Sequence, residues 1–147
     1  MLARRLARPL LASIFIFGGA DAAQNPEGKA GAADKVLGTW TPPGLESTAQ
    51  VVRVDGMVKV GAGVLLALGR MPRLSSLVLA GSLVPTTLAG HRFWEEKDPQ
   101  AAKAQKLHLL KNASILGGLI LAAVDTEGRP SVGWRARHAV AEANPLT

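Results

Sequence analysis

The sequence predicts an all-α integral membrane four-helix bundle, with spans near 6–23, 51–69, 73–91 and 106–124. Three observations support this. Hydrophobic residues make up 48% of the 147, ordinary as a total, but they fall in blocks of Leu, Ala and Val. Residues 74–90 run for 17 positions without a charge, the pattern expected of a lipid-crossing helix. Arginines stand at the ends of the apolar runs, as they do on the flanks of membrane spans. That distribution argues against nucleic-acid binding despite the net charge of +6, because a nucleic-acid binder gathers its basic residues on one face.

The N-terminal stretch MLARRLARPLLASIFIFGGADAAQ has Arg4, Arg5 and Arg8 ahead of an uncharged run from Pro9 to Ala20. Two readings fit. One is a secretory signal peptide with Ala20-Asp21-Ala22 as its cleavage site. The other is a retained span from about Leu6 to Ala23, with Pro9 in its first turn. Gly18/Ala22 and Gly19/Ala23 stand at helix-packing spacing. The Asp at the cleavage position speaks against processing.

Residues 25–50 are rich in Pro and Gly. Asn25 to Lys35 can form a short interfacial helix, and Trp40 suits the membrane–water boundary. The next span, VVRVDGMVKVGAGVLLALG (51–69), would extend roughly 28 Å as a helix and carries Arg53, Asp55 and Lys59. Asp55 and Lys59 are four apart, so a helix puts acid and base on one face. Gly61 and Gly63 in this span are expected to serve helix packing. RMPR (70–73) is short enough to make the second and third spans an antiparallel hairpin. Pro85 lies inside the third span, where the Thr86 and Thr87 hydroxyls are expected to satisfy the freed backbone.

In HRFWEEKDPQAAKAQK (91–106), Phe93 and Trp94 follow the apolar run as an interfacial belt would, and Pro99 is expected to break the segment. LHLLKNASILGGLILAAV (107–124) is the fourth span, with Ala113 and Gly117 as a small-residue packing pair. Residues 1–128 thus form the membrane domain and 129–147 a basic tail. Arg4, Arg5, Arg8, Arg70, Arg73, Arg129, Arg135 and Arg137 fall on one side, whereas the opposite loops hold only Arg92. This arginine bias puts both termini in the cytoplasm of a multi-pass plasma-membrane protein.

With that topology, Asp21, Arg53, Asp55, Lys59, His91, Lys111 and Asn112 all lie in the outer halves of their spans. A charge at the bilayer centre costs about 2.5–3.5 kcal/mol on insertion scales, so the cluster needs a reason. One is interfacial snorkelling with ion pairs, Asp55 with Lys59 or Asp21 with Lys111. The other is a polar pocket for a headgroup, a quinone or a proton pathway. His91 and Glu95 make half a metal site at most. The sequence has no cysteine, which removes thiol and disulfide chemistry from this chain. No nucleophile triad spacing, phosphate loop or dinucleotide fingerprint occurs. No cofactor is evident beyond that quinone.

Three blocks, RPLLASIFIFGGADA, VRVDGMVKVGAGVLLALGRMPRLSSLVLAGSLVPTTLAGHRFWEEKDP and KLHLLKNASILGGLILAAVDTEGRPS, resemble actinobacterial members of the DoxX family over residues 8–138. The resemblance implies four membrane helices with the first span retained. The family takes its name from a subunit linked to thiosulfate:quinone oxidoreductase, and actinobacterial relatives are associated with membrane assemblies that handle oxidative and thiol stress. It therefore implies an accessory or scaffold subunit of a membrane oxidoreductase, partnered by the lipid bilayer and redox enzymes. The alternatives are a quinone- or small-substrate-binding subunit and a small transporter or proton-relay component. No shared catalytic motif maps onto these residues.

Overall fold

The computed structural model describes residues 2–38, 42–126, 128, 134, 137–139 and 142. Trp40, Arg129 and Arg135 lie outside the described residues. Among residues 2–126, as far as they are described, five α-helices follow one another: α1 (Leu2–Gln24), α2 (Glu27–Leu37), α3 (Thr48–Ala67), α4 (Pro72–Gly90) and α5 (Pro99–Val124), with a 3-10 turn at Phe93–Glu95 before the last. No strand occurs among the described residues. The helices Leu2–Gln24 and Pro99–Val124 and the stretch Pro72–Glu95 are long and apolar enough to cross a membrane. α3, at 20 residues, reaches about 30 Å but carries Arg53, Asp55 and Lys59.

The long helices alternate in direction around a ring in which α1 packs on α3, α3 on α4, α4 on α5, and α5 back on α1. The α1–α3 crossing is the tightest, and glycine makes it so. A Cβ placed on Gly19 would lie 2.7 Å from the Gly56 carbonyl oxygen. One on Gly56 would lie 2.6 Å from that of Gly19. Seven residues further along α3, a Cβ on Gly63 would meet Ile16 at 2.8 Å and the Ala12 carbonyl at 3.5 Å. Small residues let two backbones approach where lipid supplies no hydrophobic drive. Below this crossing the buried core joins Ala12 and Phe15 of α1, Ala62 and Leu66 of α3, Leu79 and Leu83 of α4, and Leu119 of α5.

Several packing expectations change. Gly18, Gly61 and Gly117 meet nothing within 4 Å of an added Cβ, so these three glycines are not the packing positions, although Ala22, the partner of Gly18, is buried against Gly56. Their neighbours Gly19, Gly63 and Gly118 do the packing, the last against Leu11. A 100° step per residue decides which glycine of a pair faces the partner.

Helix boundaries change too. α1 begins at Leu2, so Pro9 sits inside it rather than in its first turn. Pro99 starts α5 instead of breaking the segment, because Asp98 caps the helix by accepting from the Ala101 N–H at 2.8 Å, and proline is favoured in a first turn. Pro85 is spanned by a continuous α4. The Thr86 and Thr87 hydroxyls donate to the carbonyls of Ser82 and Leu83, each at 2.7 Å. The carbonyl that Pro85 leaves without its amide partner is that of Gly81, so the threonines reinforce the turn beside the break, not the break itself.

One end of the ring is held by arginine. Arg4 Nε donates to Asp125 Oδ2 at 2.7 Å, and Arg8 Nη2 lies 3.6 Å from the same oxygen. Arg73 Nε donates to the Ala123 carbonyl at 3.0 Å, satisfying one of the acceptors exposed where a helix ends. The α3–α4 hairpin turns at this end through Gly69, whose φ of 68° places it in the region that glycine adopts without penalty.

Candidate ligand-binding site

At the end opposite the arginines, the ring opens into a cavity of about 490 Å³. Ile14, Phe15 and Ala22 of α1, Val51 and Val52 of α3, and Leu83 and Ala89 of α4 give it apolar walls. α2 lies over it with Ala32, Ala33, Val36 and Leu37 turned inward.

The polar groups of this cavity are concentrated on the facing sides of α3, α4 and α5. Lys59 is only 7% exposed, and its Nζ donates to Asp55 Oδ2 at 2.6 Å and to Thr86 Oγ1 at 2.8 Å. Helical side chains lean toward the N-terminus, so Lys59 reaches Asp55 one turn earlier on α3. Asp55 accepts a second hydrogen bond from Ser82 Oγ. Asn112 Nδ2 of α5 donates to Thr87 Oγ1 at 3.0 Å. His91, at the rim, pairs through Nδ1 with Gln105 Oε1 at 2.8 Å and stacks on His108 with ring centroids 5.1 Å apart. Burying a charge without a partner is expensive, so the Asp55–Lys59 pair with its two hydroxyls is what permits an amine at this depth.

The DoxX family profile matches residues 3–92, well over half of the chain. The chain belongs to the DoxX family. The match takes in α1 to α4 and the polar pair, and leaves α5 outside; it is narrower than the resemblance over 8–138. No curated protein and no solved structure matches the chain. Together with the three long apolar stretches, the DoxX assignment makes this a membrane protein; Leu6, Leu10, Phe17, Leu77 and Leu121 stand exposed on those stretches.

Of the seven polar residues that the sequence singles out in this DoxX chain, the fold brings Asp55, Lys59, His91 and Asn112 to the cavity. It leaves three outside. Asp21 is exposed and pairs with Lys29 of α2 and with Asn25, not with Lys111. Arg53 is exposed, since two residues from Asp55 means about 200° around the helix. Lys111 is exposed beside His108, its Nζ 3.4 Å from His108 Nδ1. Glu95 pairs with Arg92 and, at 3.7 Å, with Lys35, so it does not join His91 as a ligand set.

Sequence reasoning missed Ser82 and gave Thr86 only a backbone role. A signal was present. Ser82 and Thr86 are four apart on an uncharged span and match the Asp55–Lys59 spacing across the hairpin.

Proposed function

We propose that this DoxX protein is a quinone-binding accessory subunit of a membrane oxidoreductase assembly, taking the quinone headgroup into the cavity beneath α2. The observation that carries the reading is an apolar cavity with a hydrogen-bonding amine on its wall. Its volume falls within the ~300–1,000 Å³ range of small-molecule sites. A quinone ring needs apolar walls and donors for its carbonyl oxygens. The Lys59 ammonium has three N–H donors, two of which serve Asp55 and Thr86. The third is the donor for one carbonyl. The second N–H of Asn112 is the corresponding donor for the other side of the ring. Electrons for the ligand come from a redox enzyme alongside, because this chain carries no thiol.

Binding of a naphthoquinone to the protein in lipid nanodiscs tests this reading. Thr86→Val is expected to weaken binding about tenfold, the effect of removing one buried hydrogen-bond partner, while the helices stay folded. Unchanged affinity in both Thr86→Val and Lys59→Met would remove the cavity as a quinone site and leave the scaffold role.

The same reading places the protein in the plasma membrane as four spans, with α3 as the fourth, α2 on the outer surface and both termini inside. A cysteine-free chain makes the orientation directly measurable. An impermeant maleimide is expected to label Glu46→Cys in intact cells and Arg70→Cys only after permeabilisation. The reverse pattern would invert the topology.

A further inference from the structure

How a ligand reaches the cavity depends on which of its boundaries are closed, and this inference rests on the quinone-binding reading above. The roof is tied down on three sides. Lys29 of α2 pairs with Asp21 of α1. Asp34 accepts from the Thr48 hydroxyl of α3. The Lys35 carbonyl accepts from Arg92 Nη2 at 3.0 Å, and its amine pairs with Glu95 just beyond α4.

Three of the four seams between the long helices are closed at cavity depth. Gly19 against Gly56 brings α1 and α3 into backbone contact. Asp55, Lys59, Ser82 and Thr86 lace α3 to α4. Thr87 with Asn112, and His91 with Gln105, link α4 and the residue after it to α5.

The α1–α5 seam differs. It is the least extensive contact in the ring, and its ion pairs and closest glycine approach lie toward the arginine end. They are Arg4 and Arg8 with Asp125, and Leu11 at 3.5 Å from a Cβ on Gly118. Above Leu11 the two helices line the cavity from opposite sides, Ile14 and Gly18 on α1 and Asn112 and Ile115 on α5. A Cβ on Gly18 would meet nothing within 4 Å, so α5 stands clear of α1 at that level. The outer surfaces beside the gap are apolar, with Leu10, Phe17 and Leu110 more than half exposed.

We infer that the gap between α1 and α5 is a lateral portal, through which a membrane-dissolved amphiphile places its polar head in the cavity and leaves its tail in lipid. The ligand class follows from the walls. A water-borne substrate would have to pass the tied roof, whereas a tailed quinone approaches along apolar surface and meets Asn112 and Lys59 as it enters. A tail lying in lipid requires no room inside the bundle, which is why a headgroup-sized cavity suffices.

The test compares two probes in nanodiscs, a naphthoquinone with a long isoprenoid tail and its tail-less methyl counterpart. Gly18→Trp fills the gap where the added side chain meets no neighbour, and Leu110→Trp, on the α5 side of the gap and outside the cavity lining, guards against a fold-specific failure of the first variant. Both are expected to weaken the tailed probe by at least about tenfold while changing the tail-less one less than about twofold. Leu77→Trp, on the exposed face of α4 away from the gap, is expected to change neither. Unchanged binding of the tailed probe, or equal loss of both probes, would overturn the portal. If the unsubstituted protein binds neither probe, the quinone reading itself falls and the portal with it.

Discussion

Gly56→Leu is expected to force α1 away from α3 and to lower stability more than any other glycine substitution in the ring. The added Cβ would sit 2.6 Å from the Gly19 carbonyl and 2.7 Å from the Ala23 amide nitrogen. Both obstacles are backbone, so no side chain can swing aside. Overpacking usually costs about 1–3 kcal/mol and occasionally more, and a rigid obstacle on a helix crossing places this case at about 3 kcal/mol or above. Gly61→Leu is the matched control, because its Cβ meets nothing within 4 Å. That change is expected to stay within about 0.5 kcal/mol. Thermal unfolding of the two variants in the same nanodiscs decides the matter. Equal midpoints would mean that α1 and α3 do not meet at glycine.

Lys59→Met carries the second large effect, on stability and on ligand binding together. It removes the cation from a buried pair and leaves the Asp55 carboxylate with the Ser82 hydroxyl. Breaking one side of a buried pair costs about 3–5 kcal/mol. The low end applies, because the Asp55 side chain is 34% exposed and retains some solvation from the cavity. The informative experiment adds Asp55→Asn. The double substitution removes both charges and is expected to recover more than half of the lost stability, since a pair of neutral groups needs no counter-ion. Ligand binding is expected to remain lost in the double variant, because the amine donor is still absent. Additive destabilisation would show that the two groups do not act as a pair.

The two variants separate roles that overlap in this bundle. The glycine crossing sets where α1 stands, and α1 supplies one apolar wall of the cavity as well as one edge of the gap facing lipid. The charged pair sets what the cavity recognises. A substitution at the crossing therefore changes shape and affinity together. Thr86→Val changes one donor network with the walls left in place.

Much of this was legible in the residues. Uncharged residues 74–90 and the Arg-flanked apolar runs marked the spans, because lipid tolerates few polar groups and the pattern records that demand directly. Asp55 and Lys59 were identified as a pair because four residues in a helix bring two side chains onto one face. The DoxX assignment followed from long blocks of sequence and is matched over residues 3–92. Helix ends were less legible: Pro99 reads as a breaker until Asp98 is seen capping the turn it begins.

Tertiary structure alone decided which polar residues meet. Asp21, Arg53 and Lys111 sit at the right depth in their helices, yet rotation about the helix axis turns them away from Asp55, Lys59 and Asn112. Depth along a span follows from counting residues, whereas facing follows from how neighbouring helices are rotated when Gly19 closes on Gly56. The same rotation selects Gly63 over Gly61 for packing and brings Ser82 and Thr86 against the charged pair. The roof over the cavity was equally invisible in one dimension, since α2 is held by partners up to 57 residues away, as Lys35 is by Arg92. Sequence by itself determined a membrane-spanning helical chain with an embedded ion pair, because hydrophobicity and helical spacing are local properties. The cavity around that pair is a property of helix rotation and helix distance, and only the packed fold sets those.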